Sequence, residues 1–107
     1  MKTFQLSENV VFDEAHAHAE PLHVDGHGRA LRFALRPGQS VTEHKAPHSP
    51  VNIVVLAGNG IFTGGDKVEH RLGPASLIVI SAGEEHAIRA LDENLVFLVL
   101  LHGVHTG

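Results

Sequence analysis

The chain contains no cysteine, no tryptophan and no tyrosine. Without thiols there is no disulfide, no zinc–thiolate or iron–sulfur site and no thiol nucleophile. Any metal must therefore sit among imidazole nitrogens and carboxylate or water oxygens. Long apolar runs are missing too. The longest, Leu95 to Leu101, spans seven residues, against the roughly 20 that a membrane helix needs. The opening Met1-Lys2-Thr3-Phe4-Gln5-Leu6-Ser7-Glu8 has no apolar stretch and is broken by an acid, unlike a secretory signal. A soluble cytoplasmic protein without membrane contact is the expectation. Basic charge is scarce as well: 8 Lys and Arg stand against 12 Asp and Glu, a net charge of −4. No surplus exists to neutralise phosphates, so nucleic acid is not an expected partner.

What the chain has in excess is histidine, ten in 107 residues. Protonating all ten would turn −4 into +6, so the sign of the charge depends on acidity near pH 6. The length fits one domain, residues 1–107. Apolar residues at 43% and charged residues at 19% describe neither a disordered nor a membrane-spanning chain.

Apolar residues recur with period two, the signature of half-buried strands. Ala30 to Arg36 sets Leu31, Phe33 and Leu35 on one face and Arg32, Ala34 and Arg36 on the other. Pro37-Gly38 makes a turn, and Ser40 to His44 reads as the next strand. Val51 to Ala57 is a β-branched run closed by Gly58-Asn59-Gly60. Ile61 to Thr63 and Val68 to Leu72 flank Gly64-Gly65-Asp66 as a hairpin. Ala75 to Ile80, His86 to Leu91 and Leu95 to Leu101 complete the series. The last is apolar on both faces, which predicts a central or sandwiched strand. Glu14 to Glu20 is the one stretch that could turn helically, but it lacks an apolar face and Pro21 stops it. Eight to ten short strands without a helix predict an all-β sandwich or barrel.

Two segments carry a further pattern. The first runs Gly38-Gln39-Ser40-Val41-Thr42-Glu43-His44-Lys45-Ala46-Pro47-His48 and on to Gly58; the second is Ala75-Ser76-Leu77-Ile78-Val79-Ile80-Ser81-Ala82-Gly83-Glu84-Glu85-His86. Together they resemble the two motifs of the cupin superfamily, G-x5-H-x-H-x3-4-E-x6-G and G-x5-P-x-G-x2-H-x3-N. The resemblance covers residues 30–101 and leaves residues 1–29 for N-terminal strands. It implies a small jelly-roll barrel, a double-stranded β-helix, with a site in its mouth, and a homodimer formed by sheet packing. Gly38, His44, Gly83 and His86 match the motifs. Ala46 stands where the second histidine belongs, Val51 where the glutamate belongs, Ser81 for the proline and Ala90 for the asparagine.

Two family metal ligands, His44 and His86, therefore survive. His48 lies four residues beyond His44, and Pro47 and Pro50 forbid a helix between them. A short loop could fold His48 back to stand in for the missing ligand. His44, His48 and His86 are the expected metal ligands, suited to Zn, Fe, Ni or Mn. His102, at the end of the last strand, is a further candidate. With His86 facing inward, Ile88 and Ala90 face inward too; with His44 inward, so does Thr42. The expected pocket is Phe33, Thr42, Val51, Ile88, Ala90 and His102, apolar and suited to a small, partly apolar molecule. Glu84 and Glu85 are expected in a solvated turn, Glu84 being the one of the two placed to reach the mouth. His16, His18 and Glu20 share one strand face and read as exposed polar residues, and His23, His27, His70 and His105 as strand-face or turn residues.

Three functions follow. One is a metal-dependent small-molecule enzyme, of the oxygenase, isomerase or decarboxylase type that the resemblance permits. The second is a non-catalytic binding or sensing module, favoured by the losses at Ala46 and Val51. The third is a purely structural barrel, whose interior would be filled by side chains.

Overall fold

The computed structural model describes residues 1–43 and 48–103. These residues form nine strands and no helix: β1 (His18–Asp25), β2 (Gly28–Leu35), β3 (Ser40–Glu43), β4 (Val51–Ala57), β5 (Gly60–Thr63), β6 (Glu69–Leu72), β7 (Leu77–Ile80), β8 (His86–Ala90) and β9 (Leu95–His102). The all-β expectation holds, and Glu14 to Glu20 makes no helix but runs into β1. No described helix is long and apolar enough to cross a membrane.

All pairings are antiparallel, in a five-stranded sheet ordered β1-β2-β9-β4-β7 and a four-stranded sheet ordered β3-β8-β5-β6. β9 is central because it is apolar on both faces, and it hydrogen-bonds to β2 on one side and β4 on the other. Its odd-numbered residues Leu95, Phe97 and Val99 point into the space between the sheets. There they meet Leu35 of β2, Ile53 and Val55 of β4, and Phe62 and Ile88 of the facing sheet. Phe97 is wholly buried, stacks on Phe33 at 5.1 Å and meets the edge of Phe62 at 6.0 Å. Such ring pairs contribute about 1 kcal/mol each beyond the area they bury.

The outer face of β2 departs from simple alternation. Arg32 and Ala34 face away from the core as their spacing predicts, yet they are only 5% and 2% exposed. The N-terminal segment lies over them. The Arg32 guanidinium donates to the carbonyls of Leu6, Glu8 and Asn9 and forms a 2.6 Å ion pair with Glu20 of β1. These acceptors replace the water that a buried cation loses. Arg32 thus ties a segment with no strand of its own to the sheet.

Gly58, which closes β4, has φ +78°, and a Cβ there would collide with the Asn94 carbonyl oxygen. Only glycine lets the chain turn that close to the start of β9.

Arg32→Ala takes a buried guanidinium from three backbone carbonyls and from Glu20, itself 34% exposed, so it should cost about 1–3 kcal/mol. Chemical denaturation should show the loss, and limited proteolysis should show earlier cleavage among residues 1–17. Unchanged stability together with unchanged cleavage would refute the tie.

Candidate ligand cavity

The two sheets separate at the flank where β7 ends one and β6 ends the other, and a cavity of about 260 Å³ opens there. Its position follows from pairing register. His70 of β6 lies opposite Phe62 of β5, Phe62 opposite Ile88 of β8, and Ile88 opposite Val41 of β3. These four therefore share the inner face of the four-stranded sheet. Phe62, Ile88, Leu72, Ile78 and Ile80 supply the apolar wall, and Asp66, His70, Glu84 and His86 the polar part. The space between the sheets is filled by the core, and the open volume lies at this flank.

His86 sits two residues before Ile88 and so faces the same way. Its Nδ1 is buried and has no hydrogen-bond partner among the described residues. An unsatisfied buried nitrogen costs roughly 1–3 kcal/mol, and it is the feature of this wall that calls for a ligand.

Glu84 is placed by two turns. One carboxylate oxygen accepts the Gly65 N–H at 2.8 Å and the other the Ser81 N–H at 3.0 Å, joining the β5–β6 turn to the β7–β8 turn. A Cβ on Gly64 would lie 2.6 Å from the carboxylate, so glycine is what admits it. The Gly65 hydrogen bond, and after it that of Ser81, holds the Glu84 carboxyl below the ordinary value of 4.5. Glu84 borders the cavity and is held as an anion by backbone donors, against the expectation of a solvated turn.

The expected site residues fall in different places. His44 lies outside the described residues. His48 is exposed, and His86 and Ile88 line the cavity. Val51 and Ala90 are buried in the core at 2% and 1% exposure. Phe33 packs against Phe97 and the core rather than the cavity. Thr42 is exposed, because Val41 is the β3 residue that packs inward against Ile88. His102 belongs to the outer, even-numbered face of β9, where Asn52 Nδ2 donates to its Nε2 at 3.1 Å. Among the described residues no three His, Asp or Glu side chains gather as a metal site.

His70, expected as a strand-face or turn residue, and Asp66, expected in the hairpin turn, also border the cavity. His23 and His27 also have partners: Asp25 accepts from His23 Nε2 at 2.9 Å and from the His27 backbone N–H at 2.8 Å. The His27 amide first, and then the His23 side chain, lowers the Asp25 carboxyl from its usual value. These histidines serve the β1–β2 turn.

Two antiparallel sheets closing on one core, with a histidine in an open flank, define a double-stranded β-helix. The sequence model of the cupin domain matches residues 31–101. The chain belongs to the cupin family. A solved RmlC-like cupin protein from Desulfovibrio desulfuricans is 26% identical, with a TM-score of 0.85 over 95% of this chain and 96% of that one. An uncharacterized conserved protein with a double-stranded β-helix domain from Klebsiella pneumoniae is 17% identical, with a TM-score of 0.89 over 100% and 94%. A protein from Thermotoga maritima described as a predicted oxalate decarboxylase is 21% identical, with a TM-score of 0.72 over 82% and 81%. No curated protein matches the chain. The family motifs also explain the backbone at Ala75, which stands at the first glycine of the second motif and keeps the left-handed conformation, φ +69°.

Because the folded Glu84 carboxyl is depressed, its anchoring is complete above pH 4.5, the ordinary value, and is lost as pH falls through the lower folded value. Amide exchange should report this. Gly65 and Ser81 should be protected at neutral pH and lose protection in acid, and Glu84→Ala should remove it at every pH. Protection that survives the substitution would show that other groups hold the turns.

Proposed function

We propose that the protein is a small-molecule-binding cupin whose cavity is organised around His86. The observation that carries this reading is the buried, unpartnered Nδ1 of His86 in a largely apolar cavity that side chains leave open. A few polar groups that fix orientation, set in an apolar wall, are the usual make-up of such sites. At about 260 Å³ the cavity suits a ligand smaller than a typical drug.

Cupins often bind transition metals, and the same nitrogen favours a second reading, a divalent metal held by His44, His48 and His86. Among the described residues His86 is the one member of that set lining the cavity, so the fit rests on an imidazole donor left without a hydrogen bond. A bound metal would supply Lewis-acid chemistry for an oxygenase- or isomerase-type reaction. His86 would then orient it against the apolar wall formed by Phe62, Ile80 and Ile88.

Thermal-shift screening with and without chelator, paired with metal analysis by mass spectrometry, separates the two readings. Small molecules should stabilise the wild type whether or not chelator is present, and Leu72→Phe, which intrudes on the cavity, should abolish the effect. If no small molecule stabilises the wild type, the binding reading fails. The metal reading expects near-stoichiometric metal in the wild type and its loss in His86→Ala. Substoichiometric metal in both proteins would sink it.

We also propose that a second copy of the chain covers the outer face of the five-stranded sheet. Leu77 and Val79 are each 64% exposed there, beside half-buried Val54, Leu98 and Leu100; Asn52 lies between Val79 and Leu100, and Arg32, opposite Leu98, is engaged by the N-terminal segment. An exposed aliphatic patch at the β7–β4 end of the sheet can pack against its own copy in a symmetric pair. Sedimentation should show a dimer that Leu77→Lys converts to a folded monomer; a monomeric wild type at micromolar concentration would overturn the assignment.

A further inference from the structure

We infer that the cavity takes a small organic ammonium ion, a primary amine carrying a compact apolar body, in preference to a carboxylate or a phosphate. This rests on the reading of the cavity as a ligand site and adds the charge class of its occupant.

The argument begins with the hydrogen-bonding inventory. Among the described residues, the polar side chains on the cavity are Thr63, Asp66, His70, Glu84 and His86, with no Lys, Arg, Asn or Gln among them. Carboxylate oxygens accept hydrogen bonds, and an imidazole offers at most one accepting nitrogen. The site is rich in acceptors and poor in donors. Glu84 spends one acceptor position on each oxygen, on Gly65 and Ser81, and each oxygen retains another. Asp66 lies close enough to raise the Glu84 carboxyl somewhat, yet the backbone donors prevail, so two negative charges share the mouth. With its proton on Nε2, the buried Nδ1 of His86 is one more acceptor without a donor. An ammonium group brings three donors and a positive charge.

Cations near the site are turned elsewhere. Lys67 pairs with Glu85 at 3.6 Å, with both side chains well exposed. Arg71 and Arg89 both lie opposite Ile61, on the outer face of the four-stranded sheet. Among the described residues, an anionic ligand would meet two carboxylates and no cation. Phe62, Ile80 and Ile88 meanwhile offer an apolar wall for the rest of the molecule, and the small volume limits how large that body can be.

The test uses three probes of one shape, benzylammonium, benzyl alcohol and benzoate, titrated into the full chain with chelator present. Binding is read by the NMR signals of the His70 and His86 imidazoles. Benzylammonium should bind about ten-fold more tightly than benzoate, the scale of two partly screened charge interactions, with the alcohol between them. Added salt should narrow the gap. Asp66→Asn, which keeps the oxygen that accepts the Val68 N–H, should reduce it as well. Benzoate binding as tightly as benzylammonium, or an unaltered preference in Asp66→Asn, overturns the charge assignment and leaves the ligand cavity standing. If none of the three binds, both fall.

Discussion

Phe97 is the side chain on which the two sheets close. It lies in the central strand of one sheet, flat against Phe33 of the neighbouring strand and edge-on to Phe62 across the interior. No other aromatic ring is buried so completely. The three rings fix the distance between the layers where the strands are long. Away from them the facing sheet is made of strands of four or five residues, its inward row ends in a histidine rather than an aliphatic residue, and the layers no longer meet. The cavity is the consequence of that taper.

The same constraint explains why the polar groups gather where they do. A buried face admits polar side chains only where water or a partner reaches them. His70, Asp66 and Glu84 stand at the open flank, and His86 is the group that carries an unsatisfied nitrogen inward. Glu84 then performs a structural task, bridging two turns through backbone amides, while adding charge to the mouth. Its role depends on two glycines next to each other, because a side chain on Gly64 would occupy the carboxylate's place.

Much of this was legible from residue order, and the limits have physical causes. Period-two alternation located the strands from Ala30 onward, and the two-faced apolarity of Leu95 to Leu101 marked the centre of a sheet. Alternation says which residues share a face but not which face is inside. Placing Thr42 inward followed from choosing His44; the apolar partner of Ile88 is Val41, and burial of that pair sets the parity instead. His102 failed to join the pocket residues for the same reason, since Phe97 and Val99 claim the inner face of β9. The cover over Arg32 was not legible at all. It is made of backbone carbonyls from residues 6, 8 and 9, and carbonyls leave no trace in side-chain pattern.

β7 brings these threads together. All four of its residues border the cavity, Ile78 and Ile80 from the inner face and Leu77 and Val79 at its rim; the latter two are the most exposed aliphatics of the sheet, and the strand's far edge has no strand partner among the described residues. A four-residue strand held along one edge is the least restrained element of its sheet, because each ladder hydrogen bond it lacks is one constraint fewer. Anything that packs against its outer face therefore also steadies one wall of the cavity. A ligand in the cavity and a copy covering the sheet would both bear on this one strand, so each would stabilise the arrangement that the other needs.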